Sequence, residues 1–360
     1  MGKRMVSDIC SLLVMALVIA ALQRLLMPKY QGQIVEGAFT EEYYKDDTPH
    51  QVLILGDCEA YENISTVKLW EMYGVTSYIR GNANQLPSQS YFLLKEALKR
   101  EKPEVILFSV SALQETGQTN EAYNRMTLDG MRWSDLKVQA ILASAMPEEH
   151  FIEYVFPILR FHDRWKELDD SDLKYYRGGP LTTHNGYYLR ADVRPAGEFP
   201  SIRRLPDPML PEASMDYLDR IRELCEEQGI QLMLFKAPSL YPVWHEEWDR
   251  QIREYAERNG LTYSNCLEHS EETGIDYAAD TYDGGMHMNV YGAEKTAAYL
   301  GSILVCKYGL KSKKDDAQIS QAYEARTAAY IKEKTKQEEE FREYGYIPRY
   351  TQSEEKGGAP

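Results

Sequence analysis

Along this chain apolar and polar positions fall into a regular alternation, interrupted once by a long irregular middle. Val52-Leu53-Ile54-Leu55 is an unbroken apolar run that stops at Gly56-Asp57. That pattern predicts a strand buried on both faces and ending in a tight turn. Similar runs recur at Val75 to Ile79, Val105 to Val110, Ile230 to Phe235 and Leu261 to Cys266. The segments between them carry helical spacing: one ends at Gly74, one runs from about Ser88 to Lys102, and one runs from about Ala213 to Gln228 and stops at Gly229. Two more cover Trp244 to Arg258 and Tyr291 to Tyr308. Apolar strands alternating with amphipathic helices predict an α/β fold, with a parallel sheet of about five strands covered on both faces.

The rhythm breaks between about 114 and 206. Helical patterns appear around Trp133 to Ala145 and Glu148 to Trp165, followed by Gly178-Gly179-Pro180 and a hairpin-like His184-Asn185-Gly186-Tyr187-Tyr188. We read this stretch as a mainly helical insertion, or lid, over the carboxyl ends of the strands, where ligands of open α/β sheets bind.

Lys3-Arg4 precedes an apolar segment, Ile9 to Leu22, which resumes after Gln23-Arg24 at Leu25-Leu26-Met27. With Gln23 and Arg24 snorkelling, residues 1–27 reach the roughly 20-residue span of a transmembrane helix. No small-x-small site follows it, so an uncleaved signal anchor is expected rather than a signal peptide. The positive-inside rule keeps the N-terminus in the cytoplasm, against some opposition from Arg24 and Lys29, and places the main domain outside. Residues 28–50 read as a linker, 51–310 as the α/β domain, and 311–360 as a charged, solvated helix followed by a disordered end, with partner binding as the lesser reading.

Composition narrows the function. The 360 residues carry a formal net charge of -15 and no Lys/Arg run interleaved with aromatics, which argues against nucleic acid. Twenty-seven tyrosines suit hydrated grooves without naming a ligand. The five cysteines show no zinc spacing, and neither a metal nor a cofactor is called for. Cys225, Cys266 and Cys306 read as core thiols.

Cys58 stands where the first strand meets the following helix, and alone it also reads as a core thiol. A thiol there becomes a nucleophile only with a base, and the base needs a third group to fix its tautomer. His287 supplies the base in the loop Asp280-Thr281-Tyr282-Asp283-Gly284-Gly285-Met286-His287. Asp283 is the expected orienting acid and Asp280 the alternative.

These residues resemble the SGNH/GDSL hydrolase superfamily, whose strand-Gly-Asp-Ser block is matched by Gly56-Asp57-Cys58 and whose Asp-x-x-His block is matched loosely by Asp283 to His287. Gly81 is similar to the glycine of its second block. The resemblance covers most of 51–309 and is nearest to the membrane-anchored extracytoplasmic branch, similar to teichoic acid D-alanyl-transfer proteins and polysaccharide O-acetyltransferases. It implies a three-layer α/β/α, flavodoxin-like sheet and acyl transfer or ester hydrolysis on a cell-envelope polysaccharide or teichoic-type polymer, beside a membrane-bound O-acyltransferase partner. Cys58 would attack, His287 would carry the proton, and the backbone of Cys58 and Gly81 would hold the oxyanion.

Three departures stand out. Cys replaces Ser, the last block has one extra residue, and no Gly-x-Asn-Asp follows the third strand. Asn82 and Asn84 beside Gly81, or Ser109 and Ser111, are the candidates for the missing oxyanion donor. Lys236 and Asp57 are expected to meet substrate, whereas Arg125, Arg160 and His162 are expected in structural ion pairs. The alternative function is a catalytically impaired SGNH-fold protein that binds glycan or assists assembly.

Overall fold

The computed structural model describes residues 2–28, 38–177, 181–197, 205 and 207–350. Five strands, β1 (Val52–Gly56), β2 (Ser77–Gly81), β3 (Val105–Ser109), β4 (Gln231–Lys236) and β5 (Thr262–Asn265), form one sheet in the order β2-β1-β3-β4-β5. Every pairing is parallel.

Because side chains alternate across a strand, the apolar runs feed two cores at once. Val52, Ile54, Val105, Leu107, Met233 and Phe235 pack on one face with residues of the 58–73 and 290–306 helices. Leu53, Leu55, Ile106, Phe108, Leu232 and Leu234 pack on the other with residues of the Pro87–Ala97, Glu212–Gln228 and Glu246–Arg258 helices. Full burial of each such aliphatic side chain contributes about 1.5–3 kcal/mol, so both faces must be covered. Gly74 and Gly229, both at φ 65°, end their helices in the left-handed conformation expected of a C-terminal glycine. After β1 the chain turns outward to β2 and then returns to place β3 on the other side of β1. Strand order reverses there, and the crevice beyond the carboxyl end of β1 lies at that reversal.

Four expectations change. Residues 38–50 pack onto the domain rather than linking to it: Tyr43 is buried with its ring under the Arg80 guanidinium at 4.2 Å, and His50 bonds Asp46 and Glu101. The remainder of the expected linker, 29–37, lies outside the described residues, as do Gly178-Gly179-Pro180 and 351–360.

The insertion divides its packing among several elements. Leu136, Ala140 and Ile141 of the Asp135–Ser144 helix meet Phe92 and Leu93, and the hairpin at Asn185-Gly186 docks on β2, where the Ile79 N–H donates to the Asn185 carbonyl at 2.9 Å. The expected 148–165 helix is broken at Pro157 into Phe151–Val155, Ile158–Phe161 and a 3₁₀ turn, His162–Lys166.

The C-terminal helix Ala317–Tyr344 is docked, not solvated. It buries Tyr323, Tyr330 and Gln337, spaced seven apart, and its polar-aromatic stripe escapes a search for aliphatic periodicity. Finally, Cys306 is exposed while Cys225 and Cys266 are buried.

The helix Gly2–Leu26 contains one segment, Arg4–Leu26, with mean hydropathy 2.4. It is long and apolar enough to cross a membrane.

Candidate active site

Gly56 occupies φ +149°, and a Cβ there would meet Ser109 Cβ at 2.5 Å, so the turn after β1 tolerates little but glycine. Asp57 then caps the helix Cys58–Asn63, its carboxylate accepting from the Glu59 N–H at 3.1 Å. The same oxygen accepts from Ser111 Oγ at 2.9 Å, and Ser111 is paired with Ser109 at 2.8 Å. Asp57, Ser109 and Ser111 therefore build the turn from beneath. They are not arranged to greet substrate or an oxyanion.

Cys58 is the first residue of its helix and half-buried, and as a first-turn residue its N–H has no intrahelical acceptor. Gly81 pairs with Gly56 in register. A Cβ on Gly81 would lie 3.0 Å from the Gly56 carbonyl and 3.2 Å from that of Asp57, so Gly81 abuts the turn that carries Cys58.

The histidine loop is closed by a bridge between Thr281 and Met288 and turned by Gly284 and Gly285 at φ 86° and 105°. Asp283 accepts the His287 N–H at 2.8 Å and the Met286 N–H at 3.1 Å on one oxygen, and binds His287 Nδ1 at 2.6 Å with the other. His287 Nε2 is buried without a hydrogen-bond partner among the described residues. It lies near enough to Cys58 for the ring and the thiol to alter each other's titration.

Asn63 locks the two parts together. Its amide donates to Ser239 Oγ at 2.8 Å, and its oxygen accepts from the Met288 N–H at 2.7 Å. From the end of the insertion, the Arg194 N–H donates to the Thr281 carbonyl at 2.9 Å and the Gly284 N–H to the Arg194 carbonyl at 3.2 Å.

One residue escaped the sequence reading. Glu62 is buried one turn past Cys58, with its carboxylate 3.9 Å from His287 Nδ1, and it accepts the Tyr282 hydroxyl. The Tyr282 ring lies parallel to the imidazole at 5.9 Å. The i, i+4 spacing from Cys58 put Glu62 on the same helix face, which was the available signal.

Burial pushes the Cys58 thiol up to about 11, and the nearby imidazole only partly offsets this. Burial alone would discharge His287, but the Glu62 charge, the neighbouring Cys58 and the Asp283 hydrogen bond outweigh it and hold the imidazole well above its ordinary range.

Other expected site residues are placed elsewhere. Lys236 is fully buried, donating to both carboxylate oxygens of Glu59 at 2.8 Å, so it cannot attract a polymer. Its position at the strand end suggested exposure, but the Cys58–Asn63 helix covers it. Asp280 bonds Lys295 and the Asp276 N–H, each at 2.6 Å, and does not orient His287. Asn82 donates inward to Gln85 at 2.9 Å and Thr40 at 3.4 Å, which removes it as an oxyanion donor. Asn84 is tied through its carbonyl, which accepts from Gln118 at 2.6 Å. Arg125 is held in ion pairs with Glu121 and Asp129, and Arg160 with Glu121. Among the described residues no group of three or more His, Cys, Asp and Glu is placed to hold a metal.

No protein-family model matches the chain, and no curated protein matches it.

Proposed function

We propose that this chain is a membrane-anchored SGNH-type acyltransferase or esterase of three-layer, flavodoxin-like design, acting outside the cytoplasm on a cell-envelope polysaccharide or teichoic-type polymer, beside a membrane-bound O-acyltransferase. The observation that carries the reading is the buried His287 ring, held at Nδ1 by Asp283, with Nε2 lacking a partner among the described residues and the ring close enough to Cys58 for each to perturb the other. In the competent form Nε2 takes the thiol proton as sulfur attacks the ester carbonyl. The tetrahedral oxyanion faces the N–H groups of Cys58 and Gly81. Collapse breaks the ester C–O bond, the leaving alkoxide takes the proton back from His287, and a thioester remains on Cys58. An acceptor hydroxyl or water then repeats the sequence in reverse.

Because Glu62 and Asp283 raise His287, this form is populated as pH rises. Incubating the full chain in detergent with p-nitrophenyl acetate and mapping adducts by mass spectrometry tests the reading. Acetyl on Cys58 of the wild type supports it. No adduct on the wild type, and none on Cys58→Ser, overturns it.

The raised thiol and the inward-turned Asn82 favour one rival, an SGNH fold that has lost catalysis and serves as a glycan-binding or assembly partner. Retained glycan binding without any adduct would select it.

A further inference from the structure

The Gly2–Leu26 helix ends against the insertion: the Arg164 guanidinium donates to the Leu26 carbonyl at 2.8 Å, and Arg24 lies over the Tyr176 ring at 6.0 Å. Beside that end is a cavity of about 480 Å³ whose wall includes Gln23, Arg24, Lys45, Arg132, Trp133 and Lys137. It shares no residue with the Cys58 site.

Its charges are unevenly matched. Of the two carboxylates in the wall, Glu41 is engaged by Arg24 at 3.2 Å and Asp129 by Arg125 at 3.3 Å. Lys45, Arg132 and Lys137 have no carboxylate within salt-bridge distance among the described residues, and each rests on an aromatic face: Tyr175 at 4.5 Å, Tyr44 at 4.4 Å and Trp133 at 4.6 Å. Lys137 is buried, and among the described residues its ammonium donates only to the Asp129 and Met131 carbonyls, at 3.2 and 3.1 Å. Burial draws it down to about 8, and the charges of Asp129 and Glu96 only partly offset this. Gln23 Oε1, also at the cavity, has no donor among the described residues and suits a ligand hydroxyl.

The place decides the source of the anion. An apolar helix that enters a bilayer delivers its end to headgroup depth, and Trp133, 52% exposed, and Tyr44 are the residue types that settle there. We propose that this cavity binds the phosphate of a membrane-lipid headgroup, with Lys45, Arg132 and Lys137 meeting the anion and Gln23 accepting from a headgroup hydroxyl.

The test is calorimetric titration of the full chain in neutral detergent with dihexanoyl phosphatidylglycerol and, separately, inorganic phosphate. Wild type should bind the lipid at least tenfold more tightly than inorganic phosphate, and rising salt should weaken binding. The double variant Lys45→Ala/Arg132→Ala should bind at least tenfold more weakly with an unchanged melting curve, and Lys45→Arg/Arg132→Lys should restore affinity. Cys58→Ala should bind as wild type does, which separates this site from the acyl-transfer reading. Equal affinity for the lipid and inorganic phosphate would overturn the lipid source. No binding of either probe, salt-insensitive binding, or undiminished binding by a folded double alanine variant would overturn the site itself.

Discussion

Asp283 holds His287 twice, gripping the ring at Nδ1 at 2.6 Å and the backbone N–H of the same residue at 2.8 Å. The carboxylate therefore fixes the position of the ring and leaves Nε2 without a hydrogen-bond partner among the described residues. Replacing the base, His287→Gln, is expected to slow ester turnover or Cys58 acylation by about 10²–10⁴. Asp283→Asn should retain part of that loss and also loosen the loop, seen as faster amide exchange at Met286 and His287. Unchanged acylation in both variants would remove the triad.

The pH dependence has a defined sign. Glu62 and Asp283 raise the His287 pKa, so the neutral, proton-accepting ring appears only as pH climbs. Acylation of Cys58 should accordingly increase with pH from neutrality upward. Glu62→Gln removes a negative charge 3.9 Å from the ring and should move the rise to lower pH. A pH–rate profile compared between wild type and this variant decides it; a shift to higher pH contradicts the assignment.

Lys236 at the end of β4 and Glu59 on the Cys58–Asn63 helix form a buried pair. Lys236→Met leaves Glu59 uncompensated and should cost about 3–5 kcal/mol in chemical denaturation. The double change Lys236→Met/Glu59→Leu should recover most of it. If Lys236 instead met substrate, the single variant would keep its stability and lose affinity.

Acid should loosen the C-terminal helix. Burial would raise the Glu333 carboxyl, but the His184 imidazole 3.3 Å away and the Arg349 charge outweigh it and lower it to about 2. A depressed folded-state value stabilises above the ordinary carboxylate range, and that stability is lost as pH falls toward 2. Wild type should therefore lose melting temperature across that acid window more steeply than Glu333→Gln. Parallel curves would refute the pairing.

How much of this was legible in the sequence depends on the kind of signal each element carries. β1 and its turn were plain, because an apolar run ending in Gly56-Asp57 has few other uses. Asp283 and His287 were legible from local spacing. Glu62, Glu59 and Lys236 were not, since a charged residue in a chain reads as solvated until a partner distant in sequence is known: 177 positions separate Glu59 from Lys236 and 225 separate Glu62 from His287. The docked C-terminal helix was missed for a related reason. Its buried stripe is tyrosine and glutamine, whose burial depends on hydrogen bonds to other parts of the chain. Tyr330 bonds Ser65 and Glu294, and Gln337 bonds Leu189 and Ala191.

Gln337 has one more consequence. Its amide clasps the backbone at Leu189 and Ala191, a few residues before the stretch that hydrogen-bonds to the histidine loop at Thr281 and Gly284. During synthesis Cys58, Asp283 and His287 all leave the ribosome before Gln337 does. A nascent chain stalled ahead of it would carry Cys58, Asp283 and His287 yet lack the hydrogen bonds that hold the backbone leading to the histidine loop, so that loop would gain its last support only as the C-terminal helix docks.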